Sequence, residues 1–324
     1  AALLVLAPAL AFAQEAGSPV GYYRHPAIHG ETIVFTAEGD LWRVGLEGGV
    51  ARRLTTHPGE ESHAAISPDG RTIAFIGHYE GPGEVYTMPI EGGVPTRRTW
   101  DGSVSQNAVV GWTPDGRILY ATRRHSGLPN TQLGVLDPGV AEPPVASGDD
   151  VAPALAVKAS ATGQRQTLLP LAQAADGSYD RAGGTLFFTR LPFQGSHARE
   201  YKGGTAQQIW KFDGGSEAVA LTADYPGTSK EPMPWNGRVY FASDRSGVMN
   251  IWSMDASGGD LRQHTFHEDF EVRSPALHDG RIVYQHGADL RLLDLRTGED
   301  RALEIRLASD FDHMRETWIE RSME

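Results

Sequence analysis

The feature of this sequence that most restricts its fold is a pattern that recurs about every 40 to 50 residues. Each copy contains a tight turn, an apolar segment, a second apolar segment and a hairpin with glycine. The turns lie at His29-Gly30, Ser67–Gly70, Thr113–Gly116, Ala182–Gly184, Trp235–Gly237 and His278–Gly280. Internal repeats of this length indicate an architecture built by stacking similar units.

Two of these turns, Ser67–Gly70 and Thr113–Gly116, read Ser/Thr-Pro-Asp-Gly. Proline presets φ at the first central position, aspartate tolerates the second and glycine closes the turn, so the motif predicts a type I turn. Asp69, Asp115 and Asp279 occupy the same place in different repeats. Their repetition predicts a structural role and argues against catalytic acids.

After each turn come two segments rich in β-branched and aromatic residues with alternating polarity, typical of strands. They are 31–37 and 40–46, 71–77 and 84–90, 117–123 and 131–137, 185–191 and 208–214, 238–244 and 250–256, and 281–287 and 289–295. A glycine hairpin then leads to a further strand that ends in a Leu-Thr-like pair, at Thr55, Thr99, Thr222 and Thr265. Four antiparallel strands per repeat are a propeller blade. We therefore predict an all-β, six-bladed β-propeller; a β-sandwich with coincidental spacing would leave the turn chemistry unexplained.

The predicted propeller spans 21–309, with blades at about 21–60, 61–103, 104–174, 175–227, 228–269 and 270–309. Blade one contains all its strands in order, beginning near Tyr22–Ile28, and blade six is complete from 271 to 307. We therefore expect closure by side-chain packing between blades one and six, without strand exchange. Two segments interrupt the pattern: 137–166, a predicted excursion from blade three whose outer strand resumes near 167–171, and 192–205, between inner strands of blade four.

The two ends of the chain differ from the repeats. An apolar run from Leu3 to Phe12 precedes the small-x-small triplet Ala11-Phe12-Ala13, which predicts a signal peptide over 1–13, cleaved after Ala13. The alternative, a membrane-spanning or core helix, is disfavoured because spanning needs about 20 apolar residues. We therefore expect a periplasmic or secreted protein, held together without disulfides because it has no cysteine. Residues 310–324 are expected to begin a following domain, a second propeller.

Composition and motifs exclude several functions. A net charge of −12 is unsuited to a large phosphate-binding surface, so nucleic acid is not an expected partner. No nucleophile elbow, H-E-x-x-H helix, P-loop or dinucleotide fingerprint is present, so we expect this chain to contain no catalytic site, metal or cofactor. His264 and His267 precede Glu268 and Asp269, and we interpret them as a solvated or turn-bonding loop instead of a metal site.

Two loops concentrate positive charge in this otherwise acidic chain. They occupy equivalent places in blades three and four, and their candidate contact residues are Arg123, Arg124, His125, Arg199, Tyr201 and Lys202. A peptide carboxylate or an adjoining domain could dock on such a surface. The alternative is a solvated loop with local ion pairs.

Several segments resemble the N-terminal propeller of bacterial tricorn protease homologues, over nearly all of 21–324. They are 23–30 (YRHPAIHG), 39–42 (GDLW), 51–55 (ARRLT), 191–195 (LPFQG) and 201–207 (YKGGTAQ). The segment YKGGTAQQIW is the more specific, because S-P-D-G turns also occur in TolB and in propeller-bearing dipeptidyl peptidases.

The resemblance implies a domain that filters or conducts peptides through its axial channel, followed in the same chain by a second propeller and a serine protease region with the catalytic residues. Peptides and those downstream domains are then the implied partners, with homo-oligomerisation left open. Two other classes stay open: a TolB-like protein-binding module, and the propeller of a dipeptidyl peptidase. Against TolB, the first blade begins within about ten residues of Ala13, where TolB-type chains carry a small α/β domain.

Overall fold

The computed structural model describes residues 21–102, 107–127, 130–139, 166–192, 200–215 and 217–309. These residues form six sheets, which are the six blades of a β-propeller. They include no helix long and apolar enough to cross a membrane. The predicted all-β fold is confirmed.

Each blade is a meander in which consecutive strands pair antiparallel. Blade one contains β1 (Arg24–His29), β2 (Thr32–Ala37), β3 (Asp40–Gly45) and β4 (Gly48–Arg53). Blade two contains β5 (Glu61–Ile66), β6 (Thr72–Gly77), β7 (Glu84–Pro89) and β8 (Thr96–Arg97). Blade three contains β9 (Ala108–Trp112), β10 (Ile118–Thr122), β11 (Gln132–Leu136) and β12 (Gln166–Leu168).

Blade four contains β13 (Asp176–Tyr179), β14 (Leu186–Thr189), β15 (Ile209–Phe212) and β16 (Val219–Ala220). Blade five contains β17 (Ser229–Trp235), β18 (Arg238–Ser243), β19 (Asn250–Asp255) and β20 (Arg262–Gln263). Blade six contains β21 (Val272–His278), β22 (Arg281–His286), β23 (Asp289–Asp294) and β24 (Asp300–Ala302). A last strand, β25 (Ile305–Leu307), joins blade one.

The turn between β5 and β6 shows how local chemistry begins a blade. Gly70 N donates to Ser67 O at 2.8 Å, which closes the predicted turn, and Gly70 has φ of 73°. Asp69 accepts hydrogen bonds from Ser67 Oγ at 2.6 Å and Arg71 N at 3.1 Å, and these bonds lower the pKa of Asp69. Asp115 accepts a bond from Thr113 in the equivalent turn of blade three. Both aspartates therefore have the structural role that their repetition predicted.

The repeated threonine lies two residues after the fourth strand of its blade and makes a specific pair of hydrogen bonds. Thr265 Oγ1 accepts a hydrogen bond from Ile251 N and donates one to Asn250 Oδ1, both at 2.8 Å. We call this arrangement the Thr clasp. The hydroxyls of Thr55, Thr99 and Thr222 likewise accept a bond from the backbone of the third strand of their blades. The clasp ties the outer edge of a blade to its third strand.

The hydrophobic core consists of layers between neighbouring blades. Phe35 and Trp42 of blade one pack in one cluster with Val283 and Leu290 of blade six. A blade has two apolar faces, so it can bury both only between two neighbours. The ring is therefore held by six interfaces of this kind.

Closure differs from the expectation at one point. Among the described residues, Tyr22–Ile28 forms no strand ladder with blade six, since β1 pairs with β2, and its one backbone bond to that blade is from Tyr23 N to Ala288 O at 3.0 Å. However, β25 crosses to blade one and pairs parallel with β4, placing Leu307 opposite Ala51. Residues 305–307 had been expected to belong to blade six, and closure by side-chain packing alone is not what the structure shows. The physical reason is that the outer edge of β4 offers free backbone groups, and Leu303 and Leu307 are buried in the cluster between blades one and six.

Blade three has its fourth strand after the segment that interrupts the repeat. The outer strand of blade three resumes at β12, close to the expected 167–171. The signal segment 1–13, most of the 137–166 excursion, Arg199 and the tail 310–324 lie outside the described residues.

Candidate functional site: the axial channel

The innermost strand of every blade lines a cavity of about 490 Å³ along the axis of the ring. The six strands are β1, β5, β9, β13, β17 and β21. Much of the wall is apolar, with small residues such as Ala65 and Gly111. A Cβ placed on Gly111 would meet no atom within 4 Å, so the lumen is open beside it.

Five innermost strands contain a register shift, and in β1, β5, β17 and β21 it is a β-bulge near the first residues, where two residues oppose one on the neighbouring strand. The bulge places His25, His63, Glu231 and Ser274 at φ of 47°, 52°, 56° and 47°. Such angles are uncommon outside glycine and are concentrated at functional positions. The four side chains line the same cavity. Together with Asp176 and Lys230, which also line it, they form what we call the polar ring.

One arc of the polar ring comes from blades six, one and two. Ser274 Oγ and His25 Nδ1 lie 3.3 Å apart, and the rings of His25 and His63 stack with centroids 4.0 Å apart. Burial, followed by the neighbouring His63, lowers the pKa of His25 to about 3. Desolvation by the surrounding strands also lowers the pKa of His63, although its side chain is open to the lumen. Both imidazoles are therefore neutral near pH 7 and offer uncharged donors and acceptors.

The other arc comes from blades four and five, which face blades one and two across the axis. Glu231 N donates to Asp176 Oδ2 at 2.7 Å, and Lys230 Nζ lies 3.5 Å from Glu231 Oε1. Desolvation, followed by the charge of Glu231, raises the pKa of Asp176 to about 7. Glu231 Oε2 is buried and accepts no hydrogen bond from the described residues. Buried oxygens are usually satisfied, so this unsatisfied atom marks Glu231 as an unusual residue of the channel wall.

The predicted contact loops lie at the same end of the ring as the bulges. In an antiparallel meander the first strand begins where the second ends, so loops β10–β11 and β14–β15 share that end. There Arg124 is paired with Asp101, and Tyr201 OH lies 2.9 Å from Thr205 Oγ1. Local pairing of Arg124 fits the alternative of a solvated, ion-paired loop, while His125 and Lys202 are exposed. Arg123 directly precedes Arg124 in the β10–β11 loop and is half-buried.

His264 and His267, the two histidines identified in the sequence, have different partners in the structure. His264 Nε2 lies 2.8 Å from Ser253 Oγ and packs beside Tyr240. His267 instead lies against His286, with the two ring centroids 4.0 Å apart. His286 was not among the expected residues, because it lies in a predicted strand of blade six.

The polar ring was also missed, although a signal for it exists. A proline follows His25, Glu231 and Ser274 near the start of a predicted first strand. Proline inside a strand pattern marks a bulge or an edge, and the innermost strand of a blade is an edge. Comparing the place of this proline between repeats would have identified His25, Glu231 and Ser274.

Comparison with known proteins gives consistent results. The family model described as the tricorn protease N-terminal beta propeller domain matches residues 20–139 and 149–299. Tricorn protease homolog 1 of Streptomyces coelicolor is 33% identical over 290 residues, which cover 88% of this chain and 25% of that protein. The putative tricorn-like protease N-terminal subunit of Sulfurisphaera tokodaii is 36% identical over 114 residues, 34% of this chain and 56% of that subunit.

The fold is also found in a solved structure. The crystal structure of the tricorn protease superposes with a TM-score of 0.70 at 24% identity, covering 88% of this chain and 26% of that one. The chain thus spans about a quarter of the length of the full-length tricorn relatives that it matches.

Proposed function

This chain belongs to the tricorn protease N-terminal β-propeller family, and on that premise we propose that it is the substrate-access and scaffold propeller of a peptide-degrading hydrolase. In this proposal the parent is a serine peptidase, its catalytic residues lie outside the present sequence, and peptides are its substrates. The names of the relatives support the peptidase assignment. The signal-like segment ending at Ala13 supports secretion or a periplasmic location.

The observation that carries the proposal is the polar ring inside the axial channel. An extended peptide presents N–H and C=O groups along both of its edges. The neutral His25 and His63 on one side and the Asp176–Glu231 pair on the other can bond to such groups in turn. A few uncharged or singly charged contacts hold a peptide weakly, which suits passage or filtering better than permanent binding.

The chain direction supports a role for the same end of the ring in contacting a following domain. β25 runs parallel to β4 toward that end, and Ser309 Oγ donates a hydrogen bond to Glu38 in the β2–β3 turn. The loops that hold Arg123, His125 and Lys202 lie at this end too. We therefore place the downstream propeller and protease domains against it as partners within the same chain.

The test is to block the channel without disturbing the blades. Gly111→Trp adds a large ring beside the open lumen, and Gly111 does not have a positive φ, so the backbone tolerates a side chain. Gly184→Trp is the matched control, because Gly184 lies in the exposed β13–β14 turn and a Cβ there also meets no atom within 4 Å. Fluorescence anisotropy of a labelled, unstructured peptide reports binding to each variant, and hydrolysis of the same peptide is measured in the full-length parent chain.

We expect saturable binding that weakens at least about tenfold in Gly111→Trp and is unchanged in Gly184→Trp, with slower hydrolysis in the parent that carries Gly111→Trp. Equal binding by both variants would refute the channel. Absence of peptide binding together with capture of a folded protein would favour a TolB-like module.

A further inference from the structure

Three potential metal ligands lie together at the boundary of blades five and six, outside the axial channel. A nitrogen of His267, an oxygen of Asp269 and a nitrogen of His286 all lie within 4.8 Å of one another. His267 and Asp269 belong to the connection between β20 and β21, and His286 is the last residue of β22. The imidazoles are partly buried, with 13% of each side chain exposed, whereas Asp269 is 65% exposed.

The geometry of this cluster is close to that of a coordination shell. His286 Nε2 lies 3.1 Å from Asp269 Oδ1, and the two imidazole rings face each other with planes tilted by 33°. Ligand atoms around tetrahedral Zn²⁺ lie roughly 3.3 Å apart, given metal bonds of about 2.0 to 2.1 Å. The distances between the ligand atoms therefore suit one ion, and binding it would turn the stacked imidazoles so that their in-plane lone pairs converge on the metal. The exposure of Asp269 leaves a path from solvent.

The surroundings of His267 also suit a cation. Its Nε2 lies 2.9 Å from Tyr284 OH and 3.5 Å from Asp300 Oδ2. Asp300 is held in place by hydrogen bonds from Tyr284 OH at 2.7 Å and Arg291 Nε at 3.0 Å. A fixed carboxylate beside a histidine ligand is the usual outer-shell partner of a metal centre.

We propose that His267, Asp269 and His286 bind a divalent first-row transition ion, with water completing its shell. Two imidazoles and one carboxylate are a donor set that suits Zn²⁺ and its neighbours and is poorly matched to Mg²⁺ or Ca²⁺. The ion would tie the connection between blades five and six to β22. The simpler alternative is a His286–Asp269 ion pair without a metal, and the two differ in measurable ways.

The experiment is calorimetric titration of the 324-residue chain with ZnCl₂, together with His286→Ala, Asp269→Asn and His264→Ala. His264 is the matched control, since it lies in the same connection but bonds to Ser253. Mutation of outer-shell partners typically costs 10 to 100-fold in affinity, so loss of a ligand should cost at least about tenfold. We expect this loss in His286→Ala and Asp269→Asn and none in His264→Ala.

A spectroscopic readout keeps the proposal testable if His286→Ala folds poorly. Asp269 is exposed, so Asp269→Asn leaves the packing intact. Co²⁺ added to the wild-type chain should give the visible d–d bands of a low-coordinate site, and Asp269→Asn should change or abolish them. The proposal is overturned if wild type binds no Zn²⁺, or if its affinity and Co²⁺ spectrum are the same in Asp269→Asn.

Discussion

Replacing Leu307 by alanine tests whether β25 closes the ring. Leu307 is 7% exposed and belongs to the cluster that joins blades one and six. The substitution removes three buried carbon atoms at about 0.8 kcal/mol each and leaves part of their volume empty. We therefore expect the free energy of unfolding to fall by about 2 to 4 kcal/mol.

The assay is urea denaturation of the 324-residue chain, followed by circular dichroism and tryptophan fluorescence. Trp42 is fully buried in the same cluster, so the fluorescence includes a probe of this interface. Leu261→Ala is the matched control, because Leu261 is 43% exposed in the hairpin before β20. A change at such a surface site is expected to stay within about 0.5 kcal/mol.

If Leu307→Ala and Leu261→Ala lost the same stability, the reasoning would be refuted, because β25 would then contribute nothing to closure. A loss confined to Leu307→Ala would show that a strand placed after blade six helps to hold blade one. The pairing of Leu307 with Ala51 makes this result specific to the crossing segment.

Three further predictions follow from particular contacts. Asp176→Asn should be more stable than wild type at pH 8. The gain in the free energy of unfolding should be less than about 4 kcal/mol, because solvent in the channel screens the charge, and it should vanish toward pH 4. The native pKa of Asp176 is raised to about 7, so wild-type stability falls as pH rises from about 4 through 7; denaturation at pH 5 and 8 checks the sign. Thr55→Val should cost about 1 to 3 kcal/mol in urea, since Leu41 N and buried Glu61 lose their partner, whereas the exposed Thr56→Val should cost almost nothing. The 324-residue chain should not hydrolyse a fluorogenic peptide, and turnover above a buffer blank would show that a catalytic site was overlooked.

The parts of the fold that could be predicted are those determined by neighbours in sequence. The turn at Ser67–Gly70 depends on four adjacent residues, and the repeated threonine at 55, 99, 222 and 265 is visible because it recurs. β25 was missed because its partner β4 lies about 250 residues earlier and its pairing leaves no local pattern. The same holds for the polar ring, where His25 and Ser274 are 249 residues apart. The proposed metal ligand His286 is hidden in an ordinary strand pattern.

The addition of β25 to blade one has a further consequence for how molecules of this protein behave toward one another. β4 is six residues long, whereas the outer strands β8, β12, β16, β20 and β24 of the other blades have only two or three residues in the described chain. A long open edge is a template on which a second chain can add strands and start aggregation. β25 occupies that edge from Gly49 to Ala51. The protein thus covers the longest of its outer strand edges with its own backbone. Chains in which β25 is released would expose that edge, and these chains are the ones expected to polymerise.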